Sequence, residues 1–147
     1  MRPRLNGKLL KAYENLIKEE RRILVIGDIH APFELDGYFD FCQETYSKYN
    51  CNQVIFIGDI IDNHYASFHA TDPDGMGGGD ELDYAINDIQ KWIKAFPHAD
   101  VCIGNHDRII ARKGFDSQIP KRWIKSYNDV LGTDWNWTER IVYDNVQ

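Results

Sequence analysis

Three short stretches of the sequence share one pattern, in which an apolar run and a glycine precede residues that can bind a metal ion. They are residues 26–30, 57–62 and 103–107, and each apolar run has the character of a buried strand. In an open sheet with helical crossovers, ligands bind beyond the carboxyl ends of the strands. We therefore expect six side chains to gather around one point: Asp28, His30, Asp59, Asp62, Asn105 and His106. Oxygen and imidazole ligands that converge in this way indicate a metal site for phosphate chemistry.

The first stretch holds Asp28 and His30 two residues apart. In an extended segment both side chains project to the same side. One carboxylate and one imidazole suit zinc, iron or manganese better than calcium. Taken alone, Gly-Asp-x-His is weak evidence, because a turn-stabilising aspartate beside a surface histidine explains it as well.

The second and third stretches add complementary groups. Asp59 ends a predicted strand, where its two oxygens can bridge two ions that together hold the attacking and leaving oxygens of a phosphoryl displacement. Asn105 offers an amide oxygen, and His106 can protonate a leaving alkoxide, with Asp62 as the partner that fixes its tautomer. An Asx turn explains Asp59 alone. Three strands that end this way in order are hard to attribute to turn chemistry.

The three blocks together resemble the first three blocks of the calcineurin-like metallophosphoesterase family. They read Gly-Asp-Ile-His (27–30), Gly-Asp-Ile-Ile-Asp-Asn (58–63) and Gly-Asn-His-Asp (104–107), and the resemblance covers roughly residues 22–110. It implies a two-sheet β-sandwich flanked by helices, with two divalent metal ions (manganese, iron or zinc) between the sheets.

By position, the resemblance implies roles for six residues. Asp28 and His30 hold the first metal, Asp59 bridges, and Asn105 holds the second. His106 is then the acid or phosphate-contacting residue, and Asp62 orients it. A hydroxide that bridges the metals is the implied nucleophile, so no covalent enzyme intermediate is expected.

Two departures from the family pattern shape the expected substrate and the expected extent of the domain. Asn63 and His64 follow Asp62 where the phosphoprotein phosphatases of the family carry Arg-Gly. This difference favours a phosphodiester substrate, such as a nucleic acid or a nucleotide, over a phosphomonoester. The later histidine and the Gly-His-x-His block of the family have no counterpart. We therefore expect residues 1–147 to be a single, incomplete domain that holds the first (βαβαβ) part of the sandwich. Alternatively, His64 or His69 supplies the missing imidazoles.

Three other interpretations stay open. The chain can be a truncated, inactive half-site, a phosphomonoesterase, or a non-catalytic nucleotide-binding or interaction module, for which Trp123, Trp135 and Trp137 are candidate exposed aromatics. In the enzymatic interpretation, substrate contacts are expected from four further residues: Asn63, His64, His69 and Arg108.

The elements expected to position these residues alternate between strands and helices, which places the chain in the α/β class. Helices are expected over 8–20, 39–49, 80–96 and 120–130, and strands over 23–27, 51–57, 101–103 and about 135–143. Asp80 is expected to cap the third helix, whose buried stripe is Leu82, Ala85, Ile86, Ile89, Ile93 and Phe96. The glycine-rich stretch 63–79 is expected to be a functional loop, similar to that of metallophosphoesterases encoded by bacteriophages.

Composition sets limits on partners and compartment. A formal charge of −6 disfavours a strong sequence-independent grip on nucleic acid, but Lys121, Arg122 and Lys125 form a local basic cluster. The three cysteines form no Cys-x-x-Cys pair, and no run approaches the ~20 apolar residues of a membrane span. We expect a cytoplasmic protein, in the host cytoplasm if it is phage-encoded, with no membrane partner.

Overall fold

The computed structural model describes Gly7 and residues 21–143. In chain order, these residues form β1 (Ile23–Ile26), α1 (Tyr38–Lys48), β2 (Gln53–Phe56), α2 (Gly78–Ala95), β3 (Asp100–Cys102), α3 (Ile109–Asp116), α4 (Tyr127–Leu131) and β4 (Asn136–Thr138). Short 3-10 helices lie at His64–Ala66 and Lys121–Trp123. The helix expected over residues 8–20 falls outside the described part of the chain.

The four strands form one parallel sheet in the order β1-β2-β3-β4. Ile26 pairs with Phe56, and Val101 lies between Phe56 and Trp137 in neighbouring strands. Parallel neighbours need a crossover connection, and α1 and α2 supply it between the first three strands. The predicted α/β class is confirmed, and the turns after β1, β2 and β3 lie at the same edge of the sheet.

An aromatic cluster between the sheet and the helices forms the core. Trp92 of α2 is fully buried and packs edge-to-face on Phe39 and Phe56, with ring centroids 5.0 and 5.9 Å away. Its Nε1 donates to the Glu34 carboxylate at 2.8 Å, so the indole loses no hydrogen bond on burial. Trp135 is also buried, at 2% exposure, and is therefore no candidate for an exposed aromatic.

Two expectations about helices were wrong in detail. α2 begins at Gly78 with Gly77 as its N-cap, so Asp80 lies inside the first turn instead of capping it. The helix expected over 120–130 is interrupted, because Ile124 is extended and Ser126 starts α4 by accepting a hydrogen bond from the Asp129 amide. α3 was not predicted at all. Within the described residues, no helix is both long and apolar enough to cross a bilayer.

The buried stripe of α2 predicts how the stability of the fold responds to truncation. Ile89 is fully buried, so Ile89→Ala should lower the free energy of unfolding by about 2–5 kcal/mol through lost contacts and a residual cavity. Tyr84→Ala on the same helix is the control, since Tyr84 is 57% exposed, and its effect should stay within about 0.5 kcal/mol. Urea denaturation measures both, and equal effects would contradict this packing.

Candidate metal centre

The ends of β2 and β3 approach so closely that two glycines are required there. A Cβ on Gly104 would overlap the Asp59 carboxylate and its backbone nitrogen. A Cβ on Gly58, whose φ is +112°, would lie 2.7 Å from the Gly104 Cα. The glycines of the second and third sequence blocks therefore allow the two backbones to approach each other closely, in addition to forming a turn in each block.

The Asp107 carboxylate ties these two turns together. It accepts hydrogen bonds from the backbone N–H groups of Asp59 (2.9 Å), Ile60 (3.0 Å), Ile61 (3.3 Å) and Gly104 (2.9 Å). Only 2% of Asp107 is exposed, and this burial raises the pKa of its carboxyl, while the backbone hydrogen bonds oppose the rise. The Asp107 carboxylate therefore holds the backbone of the two turns, and it lies too deep to contact a substrate.

The turn after β1 is joined to the turn after β2 by main-chain hydrogen bonds. The His30 amide donates to the Asp59 carbonyl at 2.8 Å, and the Asp62 amide donates to the Ala31 carbonyl at 3.0 Å. Asp28, His30 and Asp59 all have φ between 41° and 51°, a region that non-glycine residues seldom occupy. Backbone strain of this kind clusters at functional sites, where the surrounding structure holds it in place.

Asp62 orients two imidazoles at this edge. Its Oδ1 lies 2.8 Å from His30 Nδ1, and its main-chain carbonyl lies 2.6 Å from His106 Nδ1. A carbonyl oxygen only accepts, so His106 Nδ1 donates, and the same arrangement fits His30. Each ring then keeps Nε2 for another partner, as metal-bound histidines with a carboxylate or carbonyl behind them do.

His30, Asp59 and His106 form a cluster that fits a metal ion. Each offers one ligand atom, and these atoms lie within 4.8 Å of one another. The two rings meet edge to face with centroids 4.6 Å apart, and His30 Nε2 is 3.9 Å from Asp59 Oδ2. Asp59 Oδ1 accepts from the His106 amide at 2.8 Å, which fixes the carboxylate. Two imidazoles and one carboxylate suit zinc, iron or manganese.

The other two predicted metal ligands lie at the same edge but outside this cluster. Asp28 and Asn105 are both exposed, in the turns after β1 and β3. Their roles as ligands stay predictions. Asp62, predicted to orient His106, contacts its Nδ1 through the main-chain carbonyl oxygen, and its carboxylate Oδ1 lies 3.5 Å from the same ring nitrogen, so its orienting role stays a prediction.

The four predicted substrate contacts occupy different environments. Asn63 is buried, and its Nδ2 donates to the His106 carbonyl at 3.0 Å. His64 is exposed beside the cluster, with Nδ1 3.9 Å from Asp62 Oδ2, whereas His69 is exposed on the following loop. Arg108 donates to the Ile103 carbonyl at 3.0 Å and pairs with Glu139. Of the four, His64 is therefore the side chain best placed to meet a substrate at the cluster.

Three supporting residues were missed from the sequence. Asp107 belongs to the third block, but no role was predicted for it. An aspartate after a strand-end turn is nevertheless a signal for a side chain that accepts hydrogen bonds from nearby backbone N–H groups. Glu81 is buried and accepts from the amides of His64 (2.7 Å) and Tyr65 (3.0 Å). The Tyr127 hydroxyl donates to the Asp107 carbonyl at 3.0 Å. Neither Glu81 nor Tyr127 carries a local sequence signal for these long-range contacts.

Comparison with known protein families agrees with this geometry. A family model described as calcineurin-like phosphoesterase matches residues 21–144. The chain therefore belongs to the calcineurin-like phosphoesterase family. No match was found among curated proteins or among solved structures.

The interlocked strand ends give a prediction for Gly104. Gly104→Ala should lower the free energy of unfolding by about 1–3 kcal/mol, because the new methyl group displaces the Asp59 carboxylate and backbone. Gly79→Ala is the matched control: its Cβ meets open space inside α2, and it should stabilise the chain by about 0.5–1 kcal/mol. Chemical denaturation of both variants is the measurement, and a Gly104→Ala protein as stable as its parent would contradict the close approach.

Tyr127 gives a prediction for alkaline pH. Burial raises the pKa of Tyr127 from 10.0 to about 12, so the folded phenol stays protonated where an unfolded tyrosine ionises. Its contribution to stability is complete below pH 10 and is lost as the pH rises to about 12. The free energy of unfolding of the parent should therefore fall relative to that of Tyr127→Phe across this window. If the free energies of unfolding of the two proteins change with pH in parallel, the pKa of Tyr127 is not raised in the folded state.

Proposed function

We propose that this member of the family is a dimetal phosphodiesterase whose substrate is a nucleic acid or a nucleotide. The single observation that carries the proposal is that His30, Asp59 and His106 gather at the carboxyl ends of the strands, which puts two proposed metal ligands beside the proposed acid, His106. Family membership supports a phosphoesterase that uses divalent metal ions, and the cluster supplies donors of the matching chemistry.

His30 and Asp59 would hold an ion, with Asp28 and Asn105 in the ligand roles that the resemblance implies. Divalent ions at such a site supply Lewis-acid stabilisation of the phosphate and activation of water. We propose manganese for the assays below. Asp62 contacts the His30 ring at Nδ1, at 2.8 Å, and this contact would leave Nε2 free to hold the ion.

His106 is the proposed proton donor to the leaving oxygen. Its Nδ1 is held by the Asp62 carbonyl, so the proton it delivers is on Nε2, the nitrogen left free of this contact. The Asp62 carboxylate, 3.5 Å from Nδ1, provides a counter-charge for the protonated ring. Asn63 supports the same residue from behind by donating to the His106 carbonyl.

The choice of a diester over a monoester depends on the charge available beside Asp62. A phosphomonoester dianion gains more from a guanidinium than a singly charged diester does. Asn63 stands at that position, is buried, and donates to a backbone carbonyl. Arg108, the nearest arginine in sequence to His106, pairs with Glu139. These contacts support a substrate with the lower charge.

Asp59→Asn tests the proposed function. It keeps the size of the side chain and removes the charge that holds the ion, so manganese-dependent hydrolysis of a generic aryl phosphodiester should fall to background. Asp40→Asn, at an exposed position in the first turn of α1, is the control and should leave the rate unchanged. Turnover that survives Asp59→Asn would overturn the proposal. If the parent hydrolyses an aryl phosphomonoester faster than the aryl phosphodiester, the substrate class would be reassigned to monoesters.

His106→Ala tests the division of roles within the cluster. The chemical step should slow about 10²–10⁴-fold, as expected for loss of one general acid, while manganese affinity stays near that of the parent. Equilibrium dialysis gives the affinity and steady-state kinetics give the rate. A loss of metal as large as that in His30→Ala would make His106 a ligand and contradict its assignment as the acid.

A second candidate function is metal binding without catalysis. It is favoured by one observation: the described cluster has three donor residues, enough to hold one ion and fewer than a pair of ions requires. Stoichiometric binding of one manganese ion per chain, with no hydrolysis of either ester, would support this function over the first.

We also infer that the protein works in the cytoplasm, that of a host cell if the loop over 63–79 does reflect a bacteriophage enzyme. The cysteines support this location, because Cys42, Cys51 and Cys102 are all free in the structure. Labelling of the three thiols in freshly lysed cells checks it.

A further inference from the structure

Exposed aromatic and basic side chains occur together on α3 and on the segments packed against it, next to the metal centre. Phe115 of α3 is 82% exposed, Trp123 of the second 3-10 helix is 79% exposed, and Phe68 is 49% exposed. The Arg112 guanidinium lies over the Phe68 ring, 4.7 Å from its centroid. We call Phe68, Arg112, Lys113, Phe115, Arg122 and Trp123 the basic–aromatic surface.

Packing brings the segments that carry these residues next to one another. Arg112 and Phe115 line the same cavity of about 310 Å³ on α3. Gly114 of α3 faces the segment that carries Trp123, because a Cβ on Gly114 would meet the Ile124 side chain at 2.6 Å. The rings of Phe68 and Phe115 are thus linked through Arg112, and the segment of Trp123 is packed against the same helix.

The charge of this region is opposite to that of the chain. Residues 108–125 contain six lysines or arginines and a single acidic residue, Asp116, in a chain whose net charge is −6. Arg108 is neutralised by Glu139 at the cavity. Among the described residues, no carboxylate forms an ion pair with Arg112, Lys121 or Arg122. Their charge is available to an anionic partner.

α3 adjoins two segments of the metal centre. α3 starts three residues after His106, and the Ile109 amide donates to the His106 carbonyl at 3.1 Å. On the other side, Lys113 Nζ donates to the Ser67 carbonyl at 3.2 Å, in the segment that follows His64. The segments that carry the surface therefore begin beside the cluster.

We propose that the basic–aromatic surface binds single-stranded nucleic acid and delivers one of its phosphodiesters to the neighbouring cluster. The inference rests on the proposed function for its catalytic half and on the surface itself for binding. Exposed rings stack on unpaired bases, and interleaved cations contact the phosphates, which is the combination that single-strand binding requires. A purely apolar partner would leave these cations unused, and a duplex would keep its bases from the rings.

Fluorescence anisotropy tests the binding. The probe is a labelled oligothymidylate of about 20 nucleotides, longer than the ~4–16 nucleotides that a single-strand site typically covers, in the presence of chelator so that no hydrolysis occurs. Phe115→Ala and Trp123→Ala should each weaken binding by about tenfold or more through lost stacking. Phe41→Ala, which removes a ring 64% exposed on α1, is the matched control and should bind like the parent.

The salt dependence and a duplex probe separate stacking from charge alone. Affinity falls as the salt concentration rises, and Arg122→Gln should make the slope of log affinity against log salt shallower by about 0.7–1, because one phosphate contact is lost. Lys94→Gln on α2 should leave the slope unchanged. The duplex of the same length should bind more weakly than the single strand. Equal affinity for both, or no effect of the two aromatic substitutions, would overturn the proposal in favour of an unspecific polyanion contact.

The two proposals can fail separately. Phe115→Ala and Trp123→Ala should leave hydrolysis of the small aryl diester unchanged, since it is too short to reach the surface, and should slow hydrolysis of the oligonucleotide. Binding that depends on the aromatics without any hydrolysis would refute the proposed function alone. Aryl diester hydrolysis without oligonucleotide binding would refute the surface alone.

Discussion

The carboxylate of Asp107 is the contact on which the metal centre depends. It lies buried between the turns after β2 and β3 and accepts four backbone N–H groups, so one side chain sets the distance between two strand ends. Without it, four backbone donors would lose their partner, and the buried amides of Ile60 and Ile61 would each cost about 1–3 kcal/mol. Asp59 and His106 stand on these turns, and Asp62 then fixes both imidazoles. The cluster of His30, Asp59 and His106 is in this sense a consequence of how the strand ends are held.

Much of the fold follows from local pattern. The apolar runs before Gly27, Gly58 and Gly104 predict the three strands that carry the site, and parallel pairing with helical connections places their ends at one edge. The residue types at those ends predict a metal site, and His30, Asp59 and His106 do converge there. Hydrophobic periodicity also predicts α1 and α2 to within a few residues.

What the sequence does not predict depends on long-range contacts. Trp92 was left out of the predicted stripe, yet it occupies the centre of the core because Glu34, distant in sequence, satisfies its Nε1. Glu81 reads as a surface residue of a helix, and its burial is explained only by the amides of His64 and Tyr65. After Ile109 the segments are short and pack through single residues such as Gly114, so periodicity carries little information there.

The most direct test of the metal centre is the ring-nitrogen NMR spectrum of the histidines, recorded during titration with Zn²⁺, a diamagnetic ion that suits these ligands. We expect Nδ1 of His30 to stay protonated against Asp62 while the Nε2 signal moves to the position of a metal-bound nitrogen, and we expect no such movement in Asp59→Asn. Unchanged His30 signals at saturating zinc, or coordination through Nδ1, would contradict this expectation.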